Sequence, residues 1–100
     1  MPELRSVYLT FPDLDSAASV AKRLVDERLA ACVNLLPRAL SFYRWEGVVR
    51  SEEEVIGFAK TTVDKVDALI ARAAELHPYD VPCVVALHPA QALPAYAAWV

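Results

Sequence analysis

The sequence has little cysteine, and its two cysteines are not spaced as a metal-binding or disulfide framework. Cys32 and Cys83 lie far apart, and neither belongs to a C-x-x-C pair. This excludes a zinc-ribbon signature and gives no sign of the disulfide-stapled scaffolds of small secreted proteins. We therefore expect a chain that works in a reducing, cytoplasmic environment.

The common catalytic motifs are also missing. The chain has no G-x-S-x-G element, no glycine-rich phosphate loop and no H-E-x-x-H element. These are local signatures of hydrolases, nucleotide-binding enzymes and zinc proteases. Only His77 and Asp80 suggest an acid–base pair, so we do not expect an enzyme.

Positive charge is scarce as well. The formal net charge is -3, and the lysines and arginines are scattered along the chain. We therefore expect no nucleic-acid partner and no anionic membrane surface. Residues 1–5 lead directly into a strand-like run, so no signal peptide is predicted. Residues 81–100 carry no formal charge, but Pro82, Pro89 and Pro94 interrupt any membrane-spanning helix.

Apolar residues, by contrast, are abundant. They make up 56% of the chain, which is more than a small monomer usually needs for its core. The length leaves room for a single domain over residues 1–100. Part of the apolar surface is therefore expected to contact a partner.

The periodicity of the apolar residues predicts a βαββαβ order followed by a short helix. The predicted strands cover residues 4–11, 31–45, 48–62 and 81–87. A first helix includes residues 17–29, a second follows a cap at Thr61 or Thr62 and ends at His77, and a terminal helix begins at Pro94. This order predicts an α+β, ferredoxin-like antiparallel sheet with the spatial strand order four, one, three, two.

The hairpin of strands two and three is too long for a domain of this size. Its first strand would span roughly 50 Å when fully extended. Pro37 has no amide hydrogen to donate, so strand two is predicted to be an edge strand that kinks there. Long apolar edges favour pairing between subunits, which predicts a closed homo-oligomer.

Several short elements, taken in order, resemble one known family. Residues 30–47 contain A-C-V-N, L-P and Y-R-W-E-G, residues 59–61 read A-K-T, and residues 77–82 read H-P-Y-D-V-P. With the terminal pair Tyr96 and Trp99, this pattern resembles the CutA divalent-cation tolerance family along nearly the whole chain. Cys83 stands where members of that family commonly carry a glutamate.

The resemblance implies a ferredoxin-like subunit in a compact homotrimer. It also implies a role in tolerance of copper and other divalent cations, with no settled enzymatic activity. In architecture alone, the chain is also similar to the trimeric PII signalling proteins, whose clefts between subunits bind nucleotides.

Three residues are candidate metal ligands, namely Cys32, Cys83 and His77. Thiolates favour soft ions such as Cu(I), and imidazole is a common ligand. The topology puts Cys32 and His77 at opposite ends of the sheet, so a site that uses both has to form between subunits. Each also has a structural interpretation, because free cysteine is often buried core and His77 can cap a helix before Pro78.

A second set of residues is predicted to contact a ligand in a cleft: Lys60, Tyr79, Asp80, Trp45 and Glu46. A salt-bridged strand end is the alternative for Lys60. The aromatic side chains Phe42, Tyr43, Trp45, Tyr79, Tyr96 and Trp99 are more often interface anchors than ligand contacts. The acidic residues 52–54 are more typical of a solvated hairpin face than of a cation site.

Together these observations predict a homotrimeric divalent-cation tolerance protein that binds copper or another divalent ion in response to metal. The alternative is a trimeric signalling or interaction module that binds a small anionic ligand or a protein between subunits.

Overall fold

The computed structural model describes residues 3–100 of the chain. Residues 1 and 2, part of the segment used above to predict the absence of a signal peptide, lie outside this range. The elements are β1 (Leu4–Phe11), α1 (Leu14–Asp26), β2 (Cys32–Trp45), β3 (Val48–Thr62), a 3₁₀ turn (Val63–Lys65), α2 (Val66–Leu76), β4 (Val84–Leu87) and α3 (Pro94–Trp99).

The four strands form an antiparallel sheet in the order β2-β3-β1-β4. This confirms the predicted α+β, ferredoxin-like arrangement, with β2 and β4 at the two edges. No helix in residues 3–100 is long and apolar enough to cross a membrane.

The core lies between one face of the sheet and the helices α1 and α2. Alternate residues of β1 are buried, as the period of two in its sequence predicts. They pack with apolar residues of both helices: Val7, Leu9, Phe11, Ala17, Val20, Leu24, Leu69 and Ala73. Burying each large side chain stabilises the fold by about 1.5–3 kcal/mol.

The opposite face of the sheet points away from α1 and α2. Tyr8 and Phe58 pack edge to face in its centre, with ring centroids 5.6 Å apart. Val85 pairs with Tyr8, and Leu87 lies further along β4 on the same face. Both of these β4 side chains are exposed, so this face keeps apolar surface that the two helices do not cover.

The helix boundaries differ from the prediction in two places. α1 ends at Asp26, before Leu29, because Arg28 has a φ of 61°, in the left-handed region that stops a helix. α2 begins only at Val66, after the 3₁₀ turn. Neither threonine caps it, since Thr61 Oγ1 donates to Leu29 O at 2.7 Å and the Thr62 hydroxyl donates to Asp64.

The predicted fourth strand was too long at its beginning. Only Val84–Leu87 pairs with β1. Pro82 has no amide hydrogen for the ladder, and the segment before it belongs to the loop that leaves α2. This shift leaves Cys83 directly before the strand, with its side chain exposed.

The hairpin of β2 and β3 bends and also projects from the core. The pairing shifts its register between Leu36 and Ala39, where Arg38 has a φ of 67°, so the predicted kink near Pro37 is confirmed. At the tip, Glu46 and Gly47 have φ values of 49° and 79°. Positive φ at both central positions gives the turn type that suits a two-residue hairpin.

Candidate functional site

A cleft of about 750 Å³ lies between the hairpin and the loop that joins α2 to β4. Its hairpin wall consists of Tyr43, Trp45, Arg50, Glu52 and Glu54. Its loop wall consists of Pro78, Tyr79, Asp80 and Val81. We call this space the hairpin cleft; its volume falls within the range of small-molecule sites.

The register of the hairpin explains why these side chains share one wall. Tyr43 lies directly opposite Arg50, and the tip turn fixes this pairing. Residues two apart on a strand point to the same face. Trp45 therefore joins Tyr43 from β2, while Glu52 and Glu54 join Arg50 from β3.

His77 holds the loop wall against the core. Its ring stacks on Phe11, with centroids 4.9 Å apart and planes 13° from parallel. His77 Nδ1 accepts a hydrogen bond from the backbone N–H of Tyr79 at 3.1 Å. Nε2 therefore carries the proton and donates to Thr10 O at 2.7 Å. The imidazole thus connects the loop, through Nδ1, to β1, through Nε2.

Tyr79 joins the two walls of the cleft. Its hydroxyl donates to Glu54 Oε2 at 3.1 Å. Burial, together with this carboxylate, raises the pKa of Tyr79 to about 12. On the hairpin, hydrogen bonding to Glu52 likewise raises the pKa of Tyr43. Both phenols therefore stay protonated near neutral pH and can donate to the carboxylates of the cleft.

The two cysteines lie outside the hairpin cleft and are free thiols. Cys32 is half-buried at the start of β2, opposite Lys60. Its Sγ is 3.5 Å from the Tyr96 hydroxyl of α3, and hydrogen bonding to Cys32 raises the pKa of Tyr96. Cys83 is exposed beside the β4 edge.

The predicted metal ligands do not form a site within one subunit. In the described part of the chain, no three His, Cys, Asp or Glu side chains are grouped as a metal site. Both nitrogens of His77 are occupied, so ligation by His77 would require one of its hydrogen bonds to break. The cysteines are the donors that remain accessible without such a rearrangement.

The second set of predicted residues is divided between three regions. Trp45, Tyr79 and Asp80 line the hairpin cleft. Lys60 lies towards the other end of β3 and donates to Asn34, while Glu46 belongs to the tip turn. The sequence interpretation did not place Arg50, Glu52 and Glu54 in a cleft. The turn at residues 46–47 was the signal that could have found them, because it fixes the hairpin register.

Comparison with known proteins gives a consistent result. A family model described as "CutA1 divalent ion tolerance protein" matches residues 5–100. The divalent-cation tolerance protein CutA of Thermus thermophilus is 44% identical over 93% of this chain and 90% of its own length.

Solved structures of similar proteins have the same fold. The crystal structure of CutA from Xylella fastidiosa has a TM-score of 0.95 and 41% identity, covering 98% of this chain and 94% of that one. A protein of Archaeoglobus fulgidus named as a periplasmic divalent cation tolerance protein has a TM-score of 0.92 and 33% identity. The match covers 96% of this chain and 93% of the Archaeoglobus fulgidus chain.

Proposed function

Because this chain belongs to the CutA1 divalent ion tolerance family, we propose that it is a homotrimer that binds copper or another divalent metal ion. In this proposal the ion is cargo that the protein binds in response to metal, and thiolates are its main ligands. The observation that carries the proposal is the free, exposed thiol of Cys83 beside an open sheet edge.

The apolar surface at both edges of the sheet supports the trimer. On β2, Leu40 and Phe42 are 62% and 70% exposed. Beyond β4, Leu93 and Trp99 are 71% and 62% exposed. Exposed apolar groups next to unpaired strand edges favour association, since burying them contributes about 25 cal/mol for each Å² removed from water.

The chemistry of the donors supports a soft ion. Thiolate sulfur favours Cu(I) over hard ions such as magnesium. Since no complete ligand group occurs within residues 3–100 of one subunit, we propose that ligands from more than one subunit complete the site. Cys83 is the first candidate, Cys32 is the second, and His77 would join only after losing a hydrogen bond.

Free thiols also support a cytoplasmic location. Cys32 and Cys83 are not paired with each other, and reduced cysteine is typical of intracellular proteins. The name of the Archaeoglobus fulgidus relative places that protein in the periplasm, so the proposal for this chain rests on its own cysteines.

The alternative, a small anionic ligand in a cleft, has less support. Three carboxylates and one guanidinium line the hairpin cleft, and this balance repels an anion. Lys60, which was predicted to contact such a ligand, bonds to Asn34 and does not line that cleft.

The metal proposal is tested by calorimetry with Cu(I) under reducing conditions and with Cu(II). We expect stoichiometric binding that Cys83→Ser weakens strongly and that Cys32→Ser with Cys83→Ser abolishes. His88→Ala is the control, because that imidazole is exposed and is not one of the proposed ligands. Absence of binding, or binding that the double cysteine variant leaves unchanged, would show that thiolate binding of copper is wrong.

A further inference from the structure

A second, smaller cavity carries positive charge. It measures about 280 Å³ and lies where α1 ends and β3 runs into the 3₁₀ turn. Its charged lining side chains are those of Arg28 and Lys65, so the side chains of the lining carry a formal charge of +2. The uncharged lining residues are Val25, Ala30, Ala31, Thr61 and Val100. We call this space the basic recess.

The two positive charges of the basic recess are not neutralised by their neighbours in sequence. Glu27, the residue before Arg28, pairs with two other arginines. Asp64, the residue before Lys65, accepts a hydrogen bond from a threonine hydroxyl. Neither carboxylate lines the recess. In the described part of the chain, Arg28 and Lys65 take part in none of the salt bridges.

The backbone of Arg28 is in a conformation that suits glycine better than arginine. Its φ of 61° lies in the left-handed region, where a side chain costs free energy and where glycine ordinarily ends a helix. An arginine here gives up that stability and places a guanidinium at the recess. A guanidinium presents N–H donors in a planar fork that matches the oxygens of a phosphate group.

The uncharged part of the lining is mostly apolar and partly open. Val25 is 40% exposed, and Ala30 and Ala31 add small apolar groups beside it. The volume is just below the usual range of small-molecule sites. The recess therefore has room for a phosphate group with a short apolar substituent.

We propose that the basic recess binds a small phosphorylated molecule, with the phosphate group between the Arg28 guanidinium and the Lys65 ammonium group. The apolar substituent of the ligand packs on Val25. This site does not require the proposed metal function, because neither Cys32 nor Cys83 lines the recess.

The position of the recess is compatible with a trimer. It lies at the end of β3 that is remote from the tip turn of the hairpin, and Arg28 and Lys65 are exposed. None of the exposed apolar residues assigned to the subunit contacts lines it, namely Leu40, Phe42, Leu93 and Trp99. Contacts through those residues leave the two cations accessible from the helix side of the sheet.

Other classes of ligand fit the recess less well. An organic cation meets two like charges. A metal ion finds no donor side chain, because the lining contains no His, Cys, Asp or Glu. A nucleic acid needs a longer row of positive charge than two side chains supply. A compact phosphate-bearing molecule satisfies both the charge and the size.

The test is an amide chemical-shift titration of the assembled, isotope-labelled protein by NMR. The probe is phenyl phosphate at about 0.15 M salt, which screens diffuse attraction. We expect saturable shifts of the Arg28 and Lys65 amide signals. Phenol, which lacks the phosphate group, should bind at least tenfold more weakly, by an order-of-magnitude argument.

Inorganic phosphate distinguishes free phosphate from a phosphorylated molecule as the ligand. Weaker binding of inorganic phosphate than of phenyl phosphate supports the proposal, because the apolar lining then contributes. Equal binding would overturn the assignment of a substituted phosphate.

Charge variants separate the recess from general surface charge. Arg28→Gln and Lys65→Gln should each weaken phenyl phosphate binding about fivefold, since each removes one of two attracting charges. Arg38→Gln is the control for Arg28, because Arg38 also has a left-handed backbone, with a φ of 67°, and lies outside the recess. Lys22→Gln on α1 is the control for Lys65. Both controls should change binding less than twofold.

Arg28→Gly tests whether the arginine is kept for its side chain. Glycine adopts the left-handed conformation without strain, so this variant should unfold at no lower urea concentration than the native protein. It should nevertheless lose phenyl phosphate binding at least as strongly as Arg28→Gln. Retained binding in Arg28→Gly would contradict the role given to the guanidinium.

Three further results would overturn the inference. These are the absence of saturable shifts, equal binding of phenol, or effects of Arg28→Gln and Lys65→Gln no larger than those of their controls. The outcome is distinguishable from that of the metal proposal. Cys83→Ser should leave phenyl phosphate binding unchanged, and Arg28→Gln should leave copper binding unchanged.

Discussion

At the scale of single residues, His77 connects the core to the hairpin cleft. The sequence interpretation offered a metal ligand and a helix cap as its roles. In the structure the side chain stacks on Phe11 and uses both nitrogens within the subunit. The residue before a proline was correctly predicted to end the helix. The hydrogen bond to Thr10 spans distant parts of the chain, so no local pattern could predict it.

This geometry predicts a large loss of stability for His77→Ala. The change removes a stacked ring and leaves the Thr10 carbonyl and the Tyr79 N–H, both partly buried, without their partner, which should cost about 2–4 kcal/mol of unfolding free energy. His77→Asn should recover part of the loss, because its amide oxygen can accept from the Tyr79 N–H. Chemical denaturation of the purified variants measures both.

His88→Ala is the matched control for this series. His88 is exposed, so its removal should change the unfolding free energy by less than about 0.5 kcal/mol. If His77→Ala costs no more than His88→Ala, the structural role given to His77 is wrong.

At the scale of the elements, close packing between β3 and β1 depends on Gly57. A Cβ added there would lie 3.2 Å from Phe11 Cε2 and 3.4 Å from Leu35 Cδ2. Phe11 is only 1% exposed and is held by His77, so it has little room to move. Gly57 therefore allows the side chains of Phe11 and Leu35 to pack closely against the backbone of β3.

Gly57→Ala should therefore destabilise the protein by about 1–3 kcal/mol through overpacking. Thermal and chemical unfolding would measure the effect, with Ser51→Ala as the control on the exposed part of the same strand. Equal stability of Gly57→Ala and the native protein would mean that Phe11 can move aside.

The elements also show where sequence reasoning succeeds and where it stops. Alternating apolar residues and the turn at residues 46–47 predicted β1, β2 and β3 almost to the residue, because these are local signals. The end of α1 at Asp26 depends on the left-handed conformation of Arg28. Arginine rarely adopts this conformation, so its presence in the sequence does not predict the end of a helix. The late start of β4 depends on which residues meet β1, and that is set by tertiary contacts.

The candidate site follows the same division. Trp45, Tyr79 and Asp80 were predicted from motifs, and the fold brings them together. The sequence alone predicts a solvated hairpin face for Glu52 and Glu54. Their role in the cleft becomes visible only when the hairpin register is combined with the position of the loop after α2.

At the scale of the whole molecule, the exposed surfaces of one subunit favour assembly with further copies. The projecting hairpin, the exposed apolar groups of β2 and β4, and the uncovered face of the sheet all lie on one subunit without an internal partner in the described range. The proposed metal site also needs donors from more than one subunit. A monomer would leave both features unexplained.

The mass of the purified protein in solution tests this central claim most directly. Light scattering coupled to size exclusion, at micromolar concentration and under reducing conditions, should give three times the 11.0 kDa of one chain. A mass of 11.0 kDa, unchanged as the protein concentration is raised, would contradict the trimer and with it a metal site formed between subunits.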